Sequence, residues 1–260
     1  FTTLTDGVWI TNSKGEEDFF TDVNQTLALG GLTNGVTPYE LTAAYATIAN
    51  MGNYIEPKLY TRVTNTDGDV LLDNTNPASK QVIKETTAYL LTDAMVDVVT
   101  AAGGTGTACN FNRNMAIAGK TGTSTDYWDV WFAGFTPYYT CAVWAGYDNY
   151  VSMSRSKGNR EDHVARDLWR SIMERIHENL PNEQFTTPQG IVSASVCTQS
   201  GRLPIPGVCD TVRTEYFAAG TVPTETCTVN YQGELCDYDH IPASPECPFK
   251  VIGTAPLPLQ

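Results

Sequence analysis

Residues Gly119-Lys120-Thr121-Gly122-Thr123 lie inside the run MAIAGKTGTSTDYWDVWFAGFTP and place a cation, two hydroxyls and a glycine on one short, apolar-flanked stretch. In an extended chain Thr121 and Thr123 share one face, and Lys120 and Gly122 share the other. A groove that engages all of them therefore needs an open strand edge. The ammonium and the hydroxyls suit a substrate carboxylate, held by charge-assisted hydrogen bonds. Gly122, having no side chain, lets a substrate backbone lie against the strand. The backbone N–H of Thr123 is a natural oxyanion donor, its partner being the N–H of a nucleophile. The chemistry is a grip on a terminal carboxylate beside a serine nucleophile. Taken alone, the segment also fits a plain strand with an exposed lysine.

No other constellation competes with it. His163, His177 and His240 are scattered between a helix-like stretch and the tail, so they offer no serine–histidine–carboxylate triad. No pair of carboxylates stands out as a general acid and base. Gly103-Gly104-Thr105-Gly106 follows a helical pattern and lacks the Lys-Ser/Thr ending of a phosphate loop, so it reads as a helix stop or a turn flanking a substrate. The sole S-x-x-K, Ser154 to Lys157, sits among polar residues beside Gly158. An activating lysine needs its serine on a rigid helix start, one turn away, and this segment offers none. Tyr147-Asp148-Asn149 reads as a strand end.

With 260 residues, 42% hydrophobic content and a net charge of −13, the chain can build a sizeable core and lacks the basic face that nucleic acid or an anionic membrane requires. Its pI is near 4.5. No apolar run is long enough to span a bilayer, and the start at Phe1 has no signal-peptide pattern, an expectation of a processed or excised piece.

Five of the seven cysteines (Cys197, Cys209, Cys227, Cys236 and Cys247) follow Leu180, together with ten of the fourteen prolines. That composition reads as a loop-rich, disulfide-stapled extension over 181–260 in an oxidising compartment. The pairing is open, Cys197 with Cys209 closing the shortest loop among the first four of the seven. An odd count leaves at least one thiol unpaired, and Cys109 or Cys141, beside core-like segments, is the expected reduced one. A Cys₃His metal site from Cys227, Cys236, His240 and Cys247 is the rival reading. It lacks a tight C-x₂-C knuckle, so no metal and no cofactor are expected.

The elements that must position the Lys120 segment follow from periodicity. Thr37 caps a helix begun by Pro38 and stopped at Gly52, with Leu41, Tyr45 and Ile48 on its inner face. Tyr60 to Leu72 reads as a hairpin turning at Asp67-Gly68. Glu85 to Ala102 is helical, with Leu91, Met95, Val98 and Val99 at helical spacing. Met115–Thr123, Asp129–Thr136 and Tyr139–Tyr147 read as three strands whose short turns demand antiparallel pairing. Glu161 to Leu180 is an amphipathic helix, with Val164, Leu168, Ile172 and Ile176 as its apolar face. The main body, 1–180, is α+β: an antiparallel sheet flanked by helices.

The ordered blocks ALGGLTNGVTPYELTAAYATIANMG (Ala28 to Gly52), GGTG (Gly103 to Gly106) and AGKTGTSTDYWDVWFAGFTP (Ala118 to Pro137) resemble the C-terminal half of the transpeptidase domain of a bifunctional, class A penicillin-binding protein. YFAAGTVPTETC (Tyr216 to Cys227) resembles the extension after that domain. The resemblance implies the fold shared with serine β-lactamases, and a bacterial peptidoglycan D,D-transpeptidase at the outer face of the cytoplasmic membrane. A serine attacks D-Ala-D-Ala of a stem peptide, and β-lactams trap that serine. It also implies that Lys120, Thr121, Gly122 and Thr123 bind the carboxylate, that Lys120 and the Thr123 N–H assist catalysis, and that Ser124 is a further substrate-binding residue, beginning with Tyr127 and Trp128 the turn at the groove rim. The family order is S-x-x-K, S-x-N, then K-T-G, and no S-x-N precedes Lys120. The expected partner is an N-terminal portion of the same protein that carries both missing motifs. A β-lactamase or D,D-carboxypeptidase relative, and a non-catalytic wall-binding module, are the alternatives.

Overall fold

The computed structural model describes residues 1–149 and 151–256 and divides into two compact units, Phe1–Thr186 and Thr187–Gln260. The last four residues of the 181–260 segment lie outside the described residues.

At the centre of the first unit is a three-stranded antiparallel sheet: β1 (Ala118–Thr123), β2 (Asp129–Phe135) and β3 (Thr140–Gly146), in that spatial order. Side-chain alternation on β2 sends Val130 and Phe132 to one face and Trp131, Ala133 and Phe135 to the other. Each face has its own helix. Helix α1 (Pro38–Ala49) begins as its sequence dictates, with Pro38 in the first turn and the Thr37 hydroxyl accepting from the Glu40 N–H at 3.2 Å. The chain turns away just beyond it at Gly52, whose φ of +83° only glycine adopts freely and whose N–H donates to the Thr47 carbonyl. Tyr45 and Ile48 of α1 pack with Met95 of α2 (Glu85–Thr100) against Ala118 and Phe135.

Helix α3 (Val164–Ile176) covers the opposite face. Trp169 and Met173 are fully buried there with Val99, Ile117, Val130 and Phe132. The Phe132 and Trp169 rings meet edge to face at 4.8 Å, and the Trp169 indole N–H donates to the Cys141 carbonyl at 3.0 Å. This corrects the expected inner face of α3. Val164, Leu168, Ile172 and Ile176 are 37–48% exposed, and the row one residue further on, Ala165, Trp169 and Met173, points into the core. The bulk of Trp169, fitted against Phe132 and the glycines of β1 and β2, sets the rotation of the helix. Leu91 of α2 is likewise 43% exposed, while Met95 and Val99 are buried.

His177 completes that packing in a structural role. Its ring nitrogens bond the Thr136 hydroxyl and the Met173 carbonyl, each at 2.7 Å. Cys109 is buried in the same core, and burial pushes its thiol up to about 12, so it stays protonated. The hairpin with Gly68 at its turn forms from Arg62–Thr64 and Val70–Asp73.

The division between units falls after Thr186, six residues beyond the expected boundary at Leu180. Residues 182–185 belong to the first unit because they bond and pack there. The Ala116 N–H donates to the Glu183 carbonyl at 2.9 Å, and Phe185 stacks edge to face on Phe135 at 5.4 Å.

The second unit has no helix among its described residues. It holds two hairpins, β4 (Ile191–Cys197) with β5 (Val212–Ala218), and β6 (Asn230–Cys236) with β7 (Lys250–Pro256). None of its five cysteines is disulfide-bonded in this structure. The rival ligand set does not assemble as expected: the Cys236 sulfur lies 2.7 Å from that of Cys247, whereas Cys227 lies with Cys197 and Cys209.

Replacing Trp169 by Ala removes the largest fully buried side chain and one hydrogen bond to the Cys141 carbonyl. We expect a loss of about 3–5 kcal/mol in urea-induced unfolding of the chain. A change below about 1 kcal/mol would show that the α3 packing described here is wrong.

Candidate functional site

Strand β1 is an edge strand among the described residues, and its register explains how the Lys120 segment can face two ways. Gly122 pairs with Trp131 and Thr123 with Val130. The Ser124 N–H donates to the Asp129 carbonyl at 3.1 Å, so the alternating ladder turns the N–H and C=O groups of Thr123 and Thr121 to the opposite, open edge. The lysine confirms that geometry. Its Nζ curls over the edge to within 3.1 Å of the Thr121 carbonyl and 3.3 Å of the Thr121 hydroxyl. The strict two-face separation expected of a strand is thereby bridged at the edge.

Two cavities flank this edge on opposite faces of the sheet. On the α1 side, Lys120 and Gly122 join Leu41, Tyr45, Trp131 and Ala133 around an apolar space of about 530 Å³. On the α3 side, Thr121 and Thr123 join Thr105, Arg160, His163 and Arg166 around a polar one of about 320 Å³. The glycine-rich turn expected to flank the site is brought directly onto it: the Thr105 hydroxyl bonds the Thr121 hydroxyl at 2.8 Å. Arg166 of α3 fixes that turn by donating to the Thr105 carbonyl at 3.1 Å. Gly106 belongs there because a Cβ would come within 3.0 Å of the Phe132 ring.

Ser124 plays a different part from the other residues of its motif. Its hydroxyl accepts from the Asp129 N–H at 2.8 Å and so closes the β1–β2 turn. Tyr127 lines the polar cavity from a backbone with φ of +58°, and Asp126 before it has φ of +57°, an uncommon conformation for two successive non-glycine residues. The Arg155 guanidinium stacks over the Tyr127 ring at 4.1 Å, and the Met153 N–H anchors the Tyr127 carbonyl at 2.9 Å. Ser154, first residue of the S-x-x-K look-alike, precedes an exposed two-residue hairpin, and its hydroxyl lies 3.0 Å from that of Ser156.

Sequence reading missed Arg160 and Arg166. They lie after the motif, on the entry to α3, and only the fold of that helix against β2 carries them back to the threonines. Arg160 grips Asp162 with two 2.8 Å hydrogen bonds. Those bonds, helped by the neighbouring His163 and Arg166 charges and opposed by burial, hold the Asp162 carboxyl below the usual carboxylate range. Arg166, the Arg160–Asp162 pair, the Lys120 ammonium and three threonine hydroxyls thus flank one strand edge, an arrangement with net positive charge that suits a carboxylate.

The penicillin-binding protein transpeptidase domain family matches residues 8–174, and the penicillin-binding protein 1A C-terminal domain family matches residues 187–232. The chain belongs to the penicillin-binding protein transpeptidase family. Penicillin-binding protein 1A of Clostridium botulinum is 39% identical over 216 residues, covering 81% of this chain and 25% of the relative. The crystal structure of penicillin-binding protein 1A from Haemophilus influenzae superposes with a TM-score of 0.67 at 25% identity, over 78% of this chain and 35% of that one. PonA1 from Mycobacterium tuberculosis, solved in complex with penicillin V, gives a TM-score of 0.57 at 25% identity, over 69% of this chain and 47% of that one. The chain spans about a quarter of the length of the curated relatives it matches.

Because the folded Asp162 carboxyl is depressed, its contribution to stability is fully present above the unfolded carboxyl's pKa of about 3.9, and is lost as pH falls through its folded value. A carbon-detected titration should place the Asp162 midpoint below that of a model peptide. Asp162→Asn should remove the corresponding part of the acid-side loss of stability. A midpoint at or above the ordinary value would contradict the pairing with Arg160.

Proposed function

We propose that this chain supplies the carboxylate grip of a peptidoglycan D,D-transpeptidase, and that the serine nucleophile belongs to another portion of the complete protein. The observation that carries this reading is the open β1 edge. There the Lys120 ammonium, the Thr121 and Thr105 hydroxyls and the outward Thr123 N–H converge between two cavities. No serine of the described segment shares that edge with a lysine one helical turn away.

In this reading the stem peptide lies antiparallel along the open edge of β1, its terminal carboxylate held by Lys120, Thr121 and Thr105. Arg160 and Arg166 add positive potential from the α3 side. The serine hydroxyl adds to the carbonyl of the D-Ala-D-Ala bond, its proton passing to the active-site base. The resulting oxyanion is stabilised by the Thr123 N–H together with that of the serine. D-Ala departs with a proton and leaves an ester. The amine of a second stem peptide then displaces the serine and forms the cross-link. A β-lactam carries the same carboxylate and a strained amide, and it would stop at the ester. Ser124 supports the turn rather than the substrate, and Gly122 has a packing reason as well: a Cβ there would lie 3.0 Å from the Cβ of Trp131.

The reading places the protein outside the cytoplasm, with any membrane anchor elsewhere in the complete protein. No helix among the described residues is long and apolar enough to cross a membrane.

The test is acylation by a fluorescent penicillin. The complete protein should label, and this chain alone should not. Lys120→Ala in the complete protein should slow acylation by about 10²-fold or more, the cost of losing a preorganised charge at the reacting centre. Labelling of the isolated chain, or an unchanged rate in the variant, would overturn the assignment.

A further inference from the structure

The second unit contains a side-chain cluster that the transpeptidase reading leaves unused. The sulfur atoms of Cys197, Cys209 and Cys227 all lie within 4.8 Å of one another. Cys197 and Cys227 are buried, and Cys209 is half-buried. The Asn230 side-chain amide stands over all three, with its Nδ2 3.4 Å from the Cys197 sulfur, 3.4 Å from that of Cys209 and 3.5 Å from that of Cys227. The amide nitrogen is thus nearly equidistant from the three sulfurs, as the fourth ligand of a tetrahedral site would be. With metal–sulfur bonds of about 2.3 Å and a metal–oxygen bond of about 2.1 Å, the sulfur-to-oxygen edge of a tetrahedral site is about 3.5 Å. A half-turn of the Asn230 amide exchanges its nitrogen for its oxygen with little movement of the chain.

The cluster is gathered by backbone, not by sulfur. The carbonyls of Arg202, Leu203 and Ile205 accept the N–H groups of Cys197, Cys227 and Cys209 at 2.8, 2.8 and 3.1 Å. One short segment therefore draws together Cys197 and Cys209, which flank it in sequence, and Cys227 from the loop before β6. The Ile205 N–H also donates to the Cys209 sulfur at 3.3 Å, the kind of outer bond that orients a thiolate ligand. Asn230, the first residue of β6, joins the next hairpin to the same point.

Cysteine arithmetic favours a ligand over a disulfide. Cys109 and Cys141 lie in the first unit, and Cys236 and Cys247 face each other. Three thiols remain at one place. A disulfide would use two and strand the third, whereas a cation uses all three.

We propose that Cys197, Cys209, Cys227 and Asn230 bind one thiophilic divalent cation in a tetrahedral Cys₃-amide site, zinc being the ion this donor set selects. Binding converts three thiols to thiolates and releases their protons to solvent. The centre then fastens the end of β4, the following turn, the loop before β6 and the start of β6 as one structural knot, independent of the catalytic edge.

The experiment uses the complete protein. As purified it should hold one zinc attributable to this cluster, lost in a Cys197→Ser/Cys209→Ser/Cys227→Ser variant and kept in Cys236→Ser/Cys247→Ser. Stripped of metal under reducing conditions and titrated with Co²⁺ alone, it should show thiolate-to-cobalt charge transfer and the intense visible bands of tetrahedral cobalt, both abolished by Zn²⁺. Asn230→Ala should weaken Co²⁺ binding about tenfold or more, and Asn230→Asp, with an anionic oxygen in the same shape, should restore or tighten it. A disulfide between any two of the three cysteines in the purified protein would overturn the proposal. So would six-coordinate cobalt, or unchanged affinity in Asn230→Ala. Because penicillin labelling is read at β1, failure here leaves the transpeptidase reading intact.

Discussion

The first unit depends on the close approach of β1 to β2 across two glycines. A Cβ at Gly119 would come within 2.6 Å of the Phe132 ring, and one at Gly134 within 2.7 Å of the Ala118 carbonyl. Their absence lets Phe132 lie flat under the strand and meet Trp169 of α3. That one contact fixes the rotation of α3, the seat of β1 and hence the direction in which the Lys120 edge opens. The site is therefore a consequence of core packing. Its outermost atoms are exposed, but their positions are set by side chains that never see solvent.

The same packing delivers the groups that give the edge its character. Arg166 follows Ala165, which is buried against β2, so the helix cannot seat its core row without sending the guanidinium towards Thr105. Thr105 in turn follows Gly104, where a Cβ would come within 2.4 Å of the Val98 carbonyl, so the turn hugs the end of α2. Positive charge, hydroxyls and an outward N–H thus arrive from a strand, a turn and a helix that are far apart in sequence. Preorganisation of this kind is what electrostatic catalysis requires, since little has to move when charge develops.

Much of this was legible in the residues because the local signals agree with one another. Thr37-Pro38 and Gly52 bracket α1, Asp67-Gly68 turns a hairpin, and three apolar stretches with short turns become the sheet. The α+β class and the Lys120 strand follow from those elements. The failures share a cause. For α3, a regular spacing of Val164, Leu168, Ile172 and Ile176 looked like the buried face, yet the adjoining row carries Trp169. Periodicity locates an apolar stripe, and the volume that must be filled chooses between neighbouring rows. Arg160 and Arg166 carried no local signal at all, because their role arises only when α3 docks.

The cysteines show the same limit from the other side. Spacing along the chain singled out Cys197 with Cys209 as a short loop and gave no reason to set Cys227 beside them. What brings them together is the run from Arg202 to Ile205, where the carbonyls of Arg202, Leu203 and Ile205 accept the three cysteine N–H groups. Sequence distance is a poor guide where a single extended segment serves as the common partner of several others. A small unit with two hairpins and no helix among its described residues buries little apolar surface, and such units need a covalent or metal staple to hold a unique structure. The backbone bonds to Arg202, Leu203 and Ile205 set the three sulfurs close together. A centre joining Cys197, Cys209, Cys227 and Asn230 would therefore act on a preformed site, holding together the points where the two hairpins meet.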